Sequence, residues 1–143
     1  MSKQANIAYR ICGFELPQFK TSWESLDVSK GLEIKNNIDF AFSSHDRILK
    51  CTLQLLFSQS DINILEIEFC TYVEIHPDSY AELIQEDEIV FPPYFLAQCA
   101  SFGHGALRGI MFLKTTNTPL ENYIIPPVEY GKVFKDPFVA KIE

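Results

Sequence analysis

Residues 90–128 read VFPPYFLAQCASFGHGALRGIMFLKTTNTPLENYIIPPV, and this stretch decides the fold of the chain. A Phe-Pro-Pro sequence opens it, twenty-five residues without proline follow up to Pro119, and an Ile-Ile-Pro-Pro-Val sequence closes it. Proline fits the first turn of an α-helix but not its interior, so the arrangement predicts one long helix from Tyr94 to about Lys114. Polar residues within it, among them Gln98 and Arg108, indicate a buried helix and no membrane insertion.

One face of this predicted helix consists of small residues. Every fourth position forms what we call the small-residue ridge, which contains Ala97, Ser101, Gly105 and Gly109. Residues four apart share a helix face. Each glycine in a helix interior costs roughly 1 kcal/mol relative to alanine, and packing must recover that cost. We therefore predict that another backbone lies against the ridge, as at an oligomer interface.

Three segments before the helix alternate apolar and polar residues with the period of two that is typical of half-buried strands. They run from Leu32 to Ser43, from Leu49 to Ser58 and from Leu65 to Ile75, and polar turns separate them. The apolar and aromatic segment from Ile7 to Phe19 alternates less regularly. Because Pro17 lies within it, we predict an edge strand with a bend or bulge.

These patterns predict an α+β fold of one domain over residues 1–143. It consists of a four-stranded antiparallel sheet followed by one long helix and a short C-terminal helical segment, both packed on one face of the sheet. Residues 78–88 are acidic and predict one short helical turn. A short amphipathic helix is expected near the end of the chain, where apolar residues recur every fourth position at Tyr130, Phe134, Phe138 and Ile142.

Composition restricts the classes of binding partner and the cellular compartment that we expect. Twelve basic and nineteen acidic residues give 12 − 19 = −7, which argues against nucleic acid or an anionic membrane surface as a partner. The first six residues lack the apolar stretch of a signal peptide. The four cysteines form no Cys-x-x-Cys pair and have no histidine at metal-ligand spacing. We expect reduced thiols in the cytoplasm, although pairing of two of them in space stays open, and neither a metal site nor a cofactor.

Nothing in the sequence announces an active site. The segment Gly103–Gly109 has the wrong spacing for a phosphate-binding loop and lies inside the predicted helix. The candidate catalytic dyads are His76 with Asp78 and His104 with Cys99. A solvated or packed histidine is the commoner outcome. We therefore predict that the chain is not an enzyme, with a small enzyme or ligand-binding domain as the remaining alternative.

The face of the sheet opposite the helix is predicted to be acidic. It would carry Glu33, Asp39, Glu66, Glu68 and Glu74 against Lys35 and Lys50. Such a face is either a solvated surface or a docking site for something basic.

The order of five short motifs resembles the SecB family of export chaperones. They are Phe14-Glu-Leu-Pro17, Ile64-Leu-Glu-Ile67, Phe91-Pro-Pro-Tyr94, Arg108-Gly-Ile, and Ile124-Ile-Pro-Pro-Val-Glu-Tyr130. The resemblance covers about 120 residues. It implies a dimer of dimers, and it implies a motor-binding set of Glu15, Ile64 and Glu66 that would contact the SecA motor. Departures from the family are the second proline, Glu129 in place of asparagine, and a shortened C-terminal helix.

The resemblance implies an ATP-independent holdase that keeps unfolded precursor polypeptides soluble and translocation-competent. The alternative is a dedicated adaptor on the same fold that protects one partner, such as a toxin–antitoxin component. A general holdase needs exposed apolar surface. We predict a client-binding set of Tyr94, Phe95, Phe102, Met111, Phe112, Phe134 and Phe138. At least four of these seven are expected to lie in the core or in a subunit interface.

Overall fold

A computed structural model describes residues 6–121 and 123–143 of the chain. Most of the segment in which we looked for a signal peptide therefore lies outside the described residues. The strands are β1 (Tyr9–Thr21), β2 (Glu33–Ser43), β3 (Ile48–Gln59), β4 (Ile62–Ile75), β5 (Ile84–Gln85), β6 (Glu88–Phe91) and β7 (Phe138–Lys141). The helices are α1 (Pro77–Leu83) and α2 (Pro93–Lys114), and two 3-10 turns occupy Trp23–Ser25 and Tyr130–Lys132.

Strands β1 to β4 form the main sheet, which is antiparallel with the order β1-β4-β3-β2. The three strands predicted from alternation and the fourth at the edge are confirmed. The register of β1 against β4 shifts between Glu15 and Gln18, on either side of Pro17, as the bulge prediction required. Proline cannot donate to the ladder, and a bulge at the edge accommodates it.

Helix α2 packs on β3 and β4 over the inner face of the main sheet. It begins at Pro93, and the Thr115 N–H donates to the Met111 carbonyl at its other end. The strand residues beneath it alternate as predicted, so that those on the inner face are almost completely buried. They include Leu53, Leu55, Phe57, Leu65, Ile67 and Phe69. No helix among the described residues combines the length and the apolarity that crossing a membrane requires.

The glycines of α2 serve different purposes. A Cβ at Gly103 would lie 2.6 Å from Thr71 Oγ1, so glycine is needed where the helix touches β4. A Cβ at Gly105 or Gly109 would meet nothing within 4 Å. Packing within the chain therefore offsets the helix-propensity cost of Gly103. Contacts within the chain do not explain Gly105 and Gly109.

The end of the chain differs from the prediction. The short helical segment is present as the 3-10 turn Tyr130–Lys132, but it does not continue as an amphipathic helix. Pro137 ends any such helix, and Phe138–Lys141 pairs antiparallel with β6 as strand β7. A second sheet results, with the order β5-β6-β7. The helical turn expected in residues 78–88 is α1, and the rest of that segment is β5, a turn at residues 86–87 and the first residue of β6.

Candidate binding surfaces

Helix α2 presents one side to solvent, which we call the outer helix face. It consists of Ser101, Phe102, Gly105, Gly109, Phe112 and Leu113, all exposed. Phe102 is 42%, Phe112 61% and Leu113 73% exposed, so large apolar side chains border a strip where the backbone is bare. Three members of the predicted small-residue ridge lie here, and Ala97 is nearly buried at 8%. Exposed large apolar side chains beside small residues are typical of a docking face.

The predicted client-binding set divides by burial. Phe95 and Met111 are 0% and 1% exposed and belong to the core, so a partner cannot reach them in this structure. Sequence reasoning placed them on the helix correctly but could not tell which side the sheet covers. Phe102 and Phe112 remain accessible on the outer helix face. The remaining three residues of the set are partly buried: Tyr94, Phe134 and Phe138.

A groove of about 590 Å³ adjoins the first half of α2. Its walls include Ile7 and Tyr9 on one side and Ala97 and Ser101 on the other. The ring of Tyr9 lies 6.3 Å from that of Phe102, measured between centroids, so the groove leads to the outer helix face. The lining is mixed, since Asn6, Gln98 and Ser101 add polar groups to the two tyrosine rings and the apolar residues.

The predicted motor-binding residues are not all accessible. Glu15 is exposed on the outer side of the main sheet and accepts a hydrogen bond from the Tyr72 hydroxyl at 2.8 Å. That hydrogen bond, with a smaller contribution from burial, raises the pKa of Tyr72 to about 12. Glu66 is half-buried and lies 3.9 Å from Lys20 Nζ. Ile64 is only 1% exposed, which removes it from the accessible surface.

The acidic residues of the outer sheet face are partly matched by neighbours. Glu68 accepts a hydrogen bond from Gln54 at 3.0 Å, and Gln54 accepts one from Asn37 at 3.0 Å. Arg10 lies 2.6 Å from Glu74. Cross-strand pairs of this kind stabilise a solvated sheet face. The face is therefore a hydrogen-bonded polar surface, over which a shallow cavity of about 670 Å³ opens.

His104 fastens three parts of the chain together. Its Nε2 lies 2.9 Å from the Pro126 carbonyl and its Nδ1 3.1 Å from the Tyr130 hydroxyl, which is 3.4 Å from the Asn36 amide. Because a carbonyl only accepts, Nε2 donates to it, and in the neutral tautomer that does so Nδ1 accepts from the Tyr130 hydroxyl. His104 and Tyr130 are both buried. Cys99 is not among the partners, so the dyad weighed in the sequence does not form.

His76 also has a structural role. Its Nδ1 accepts a hydrogen bond from the Asp78 N–H at 3.2 Å and caps the start of α1. Cys12 is exposed, and the other three cysteines are buried and free. Burial raises the pKa of the Cys51 thiol to about 12. Among the residues that the structure describes, no group of three or more histidine, cysteine or acidic side chains could hold a metal ion.

Comparison with known proteins places the fold. No protein-family model and no curated protein matches the sequence. Among solved structures, the chain is similar to Mycobacterium tuberculosis Rv1957, a SecB-like chaperone in complex with a ChAD peptide from the Rv1956 HigA1 antitoxin. The match covers 84% of this chain and 90% of that chain, with a TM-score of 0.53 and 12% sequence identity. The chain has an α+β fold that resembles this SecB-like structure.

Proposed function

We propose that this protein is an ATP-independent holdase chaperone that binds unfolded or precursor polypeptides and keeps them soluble and translocation-competent. The observation that carries the proposal is the outer helix face, where Phe102, Phe112 and Leu113 are exposed beside Gly105 and Gly109. Exposed aromatic and aliphatic side chains bind apolar segments of many sequences, because the hydrophobic effect is not directional. The proposed site needs no cofactor.

A dedicated adaptor is the second candidate. The structural neighbour is bound to a peptide from an antitoxin, which supports recognition of one particular partner by this fold. An adaptor of this kind would use the same outer helix face but protect only its own partner. Specificity of that kind requires that other partners be rejected as well as that one be bound.

Assembly into a dimer of dimers, in the cytoplasm, belongs to the same proposal. The exposed members of the small-residue ridge, Ser101, Gly105 and Gly109, support close approach of a second helix along that strip, with the bordering Phe102 and Phe112 left for the client. Nothing within the chain fills the space above Gly105 and Gly109. Delivery to the SecA motor is a further part, for which the accessible candidates are Glu15 and Glu66. Replacing Glu66 by lysine should weaken binding to purified SecA, and equal affinity of the two proteins would remove this part of the proposal.

The deciding experiment measures aggregation of unfolded clients by light scattering. Guanidinium-unfolded rhodanese and reduced, unfolded lysozyme are diluted separately into buffer with and without the protein. A general holdase suppresses scattering of both at near-stoichiometric ratios and forms a complex of defined native mass. An adaptor suppresses neither, and neither does an enzyme.

Variants test the surface itself. Phe102→Gln combined with Phe112→Gln should reduce suppression about tenfold or more, because two exposed aromatic contacts are lost. Val28→Gln is the matched control, since Val28 is 77% exposed and lies in the connection between β1 and β2, not on α2. Equal loss in both variants, or in neither, would contradict the assignment of the client surface to the outer helix face.

A further inference from the structure

Strand β7 occupies one edge of β6 along its whole length. Its four residues pair antiparallel with β6, from Phe138 opposite Phe91 to Lys141 opposite Glu88. The opposite edge of β6 is covered by only two residues of β5. β6 is therefore a short strand whose main pairing partner comes from a segment about fifty residues away in sequence.

The floor beneath β7 is apolar. Phe138 stacks on Phe91 with ring centroids 6.3 Å apart and lies 6.0 Å from the ring of Phe40. Phe91 and Ile89 of β6 are 0% exposed. Without β7, these aromatic and aliphatic side chains would border an open strand edge, and such an edge pairs readily with an extended chain.

We propose that the β6 edge is an acceptor for an extended segment of a partner polypeptide, and that β7 fills it within the same chain. The proposal rests on the proposed function and names a second client site for it. Backbone pairing with β6 is independent of the client's sequence. The side chains that the site accepts should resemble those of β7, which occupies it in this structure. The accepted segment carries an aromatic residue in the place of Phe138 and a basic residue three positions later, facing Glu88.

The contacts of β7 allow it to leave without unfolding of the domain. Val139 and Lys141 are exposed, and only Phe138 and Ala140 are partly covered. Beyond the strand, the Ile142 N–H donates to the Asp87 carbonyl and the Glu143 N–H to Ser44 Oγ. Short strands with few buried side chains open at low free-energy cost.

A disulfide between β6 and β7 tests whether β7 must move. Because the Ile142 N–H donates to Asp87, the alternation of the ladder makes Val90 and Val139 a non-hydrogen-bonded pair, whose side chains lie close enough for a disulfide. The variant is Val90→Cys/Val139→Cys with the exposed Cys12 replaced by serine. Its reduced form is the matched control for its oxidised form.

The reduced variant is the reference for suppression of rhodanese aggregation, and oxidation should lower suppression about tenfold relative to it, reversibly with dithiothreitol. Equal suppression by both forms overturns the role of β7 and leaves the proposed function intact. If neither form nor the wild type suppresses aggregation, the proposed function fails, and the peptide experiment below decides the acceptor site alone.

The peptide experiment uses the full-length chain and a labelled peptide of residues 135–143, KDPFVAKIE. Phe138→Ser weakens the seating of β7, so the peptide should bind this variant about tenfold more tightly than the wild type, by fluorescence anisotropy. Val139→Ser alters an exposed position of the same strand and should bind like the wild type. Equal binding by all three proteins, or preference for a scrambled peptide, overturns the acceptor site.

Discussion

Gly103 and Gly105 are two residues apart on α2 and should respond oppositely to the same substitution. Gly103→Ala places a methyl group 2.6 Å from Thr71 Oγ1, and overpacking of this kind costs ~1–3 kcal/mol. Gly105→Ala fills open space and gains up to about 1 kcal/mol in helix propensity. We expect the first variant to unfold at lower urea concentration than the wild type and the second at higher.

A second substitution shows whether Thr71 is the cause. Its hydroxyl is buried and has no hydrogen-bond partner among the described residues. Thr71→Ala removes the atom that the new methyl group would meet, so adding it to Gly103→Ala should restore part of the lost stability. Strictly additive effects of the two substitutions in a double-mutant cycle would contradict direct contact.

The cysteines should differ sharply in reactivity. Cys12 is exposed, whereas burial raises the pKa of the Cys51 thiol to about 12, so at pH 8 Cys51 stays protonated. Since the folded pKa is raised above its usual 9.0, this burial contributes stability below pH 9 that is lost as the pH rises towards 12. Iodoacetamide at pH 8 should alkylate the native chain once, at Cys12. Rapid modification of Cys51 or Cys99 in native protein would contradict their burial.

At the scale of elements, the contact between α2, β2 and the 3-10 turn depends on a short polar network. Tyr130→Phe removes the hydroxyl that donates to His104 and leaves the buried Nδ1 without its partner. Such a loss costs about 1–3 kcal/mol. We expect the free energy of unfolding, measured by urea titration, to fall by this amount.

Tyr72→Phe is the control for this prediction. Its hydroxyl also makes one hydrogen bond, to Glu15, but on the exposed outer face of the main sheet. Water replaces an exposed hydrogen bond at little cost, so a change below about 1 kcal/mol is expected. Equal destabilisation by the two substitutions would mean that burial of the His104 network contributes nothing.

The elements differ in how far sequence could predict them. β2, β3 and β4 are long, so several alternating residues indicate each one, and the proline pattern bounds α2 equally well. β7 is four residues long, and it exists because β6 offers an edge that lies far away in sequence. On α2, aromatic residues such as Phe95 and Phe112 are chemically alike, and only the position of the sheet decides which is exposed.

Subunits of this protein should assemble through the small-residue ridge of α2. Gly105→Leu introduces a bulky side chain where this chain has open space, so the fold of each subunit is expected to survive. A helix packed closely across an interface would be pushed away. Native mass should therefore fall from tetramer to dimer with an unchanged circular dichroism spectrum, while Gly105→Ala keeps the larger mass. An unchanged mass for the leucine variant would contradict assembly through the ridge.

The hydrogen bond between Tyr130 and His104 also limits how long the β6 edge would stay open in the proposed exchange. With Tyr130 held, a displaced β7 stays on a tether of residues 131–137, whose reach is at most about 25 Å. Closure of so short a loop takes on the order of 10–100 ns. A departing client segment would thus be replaced by β7 before a second molecule arrives by diffusion. Under this proposal, release would need no nucleotide, because the tethered strand would compete with the client for the β6 edge at a high local concentration.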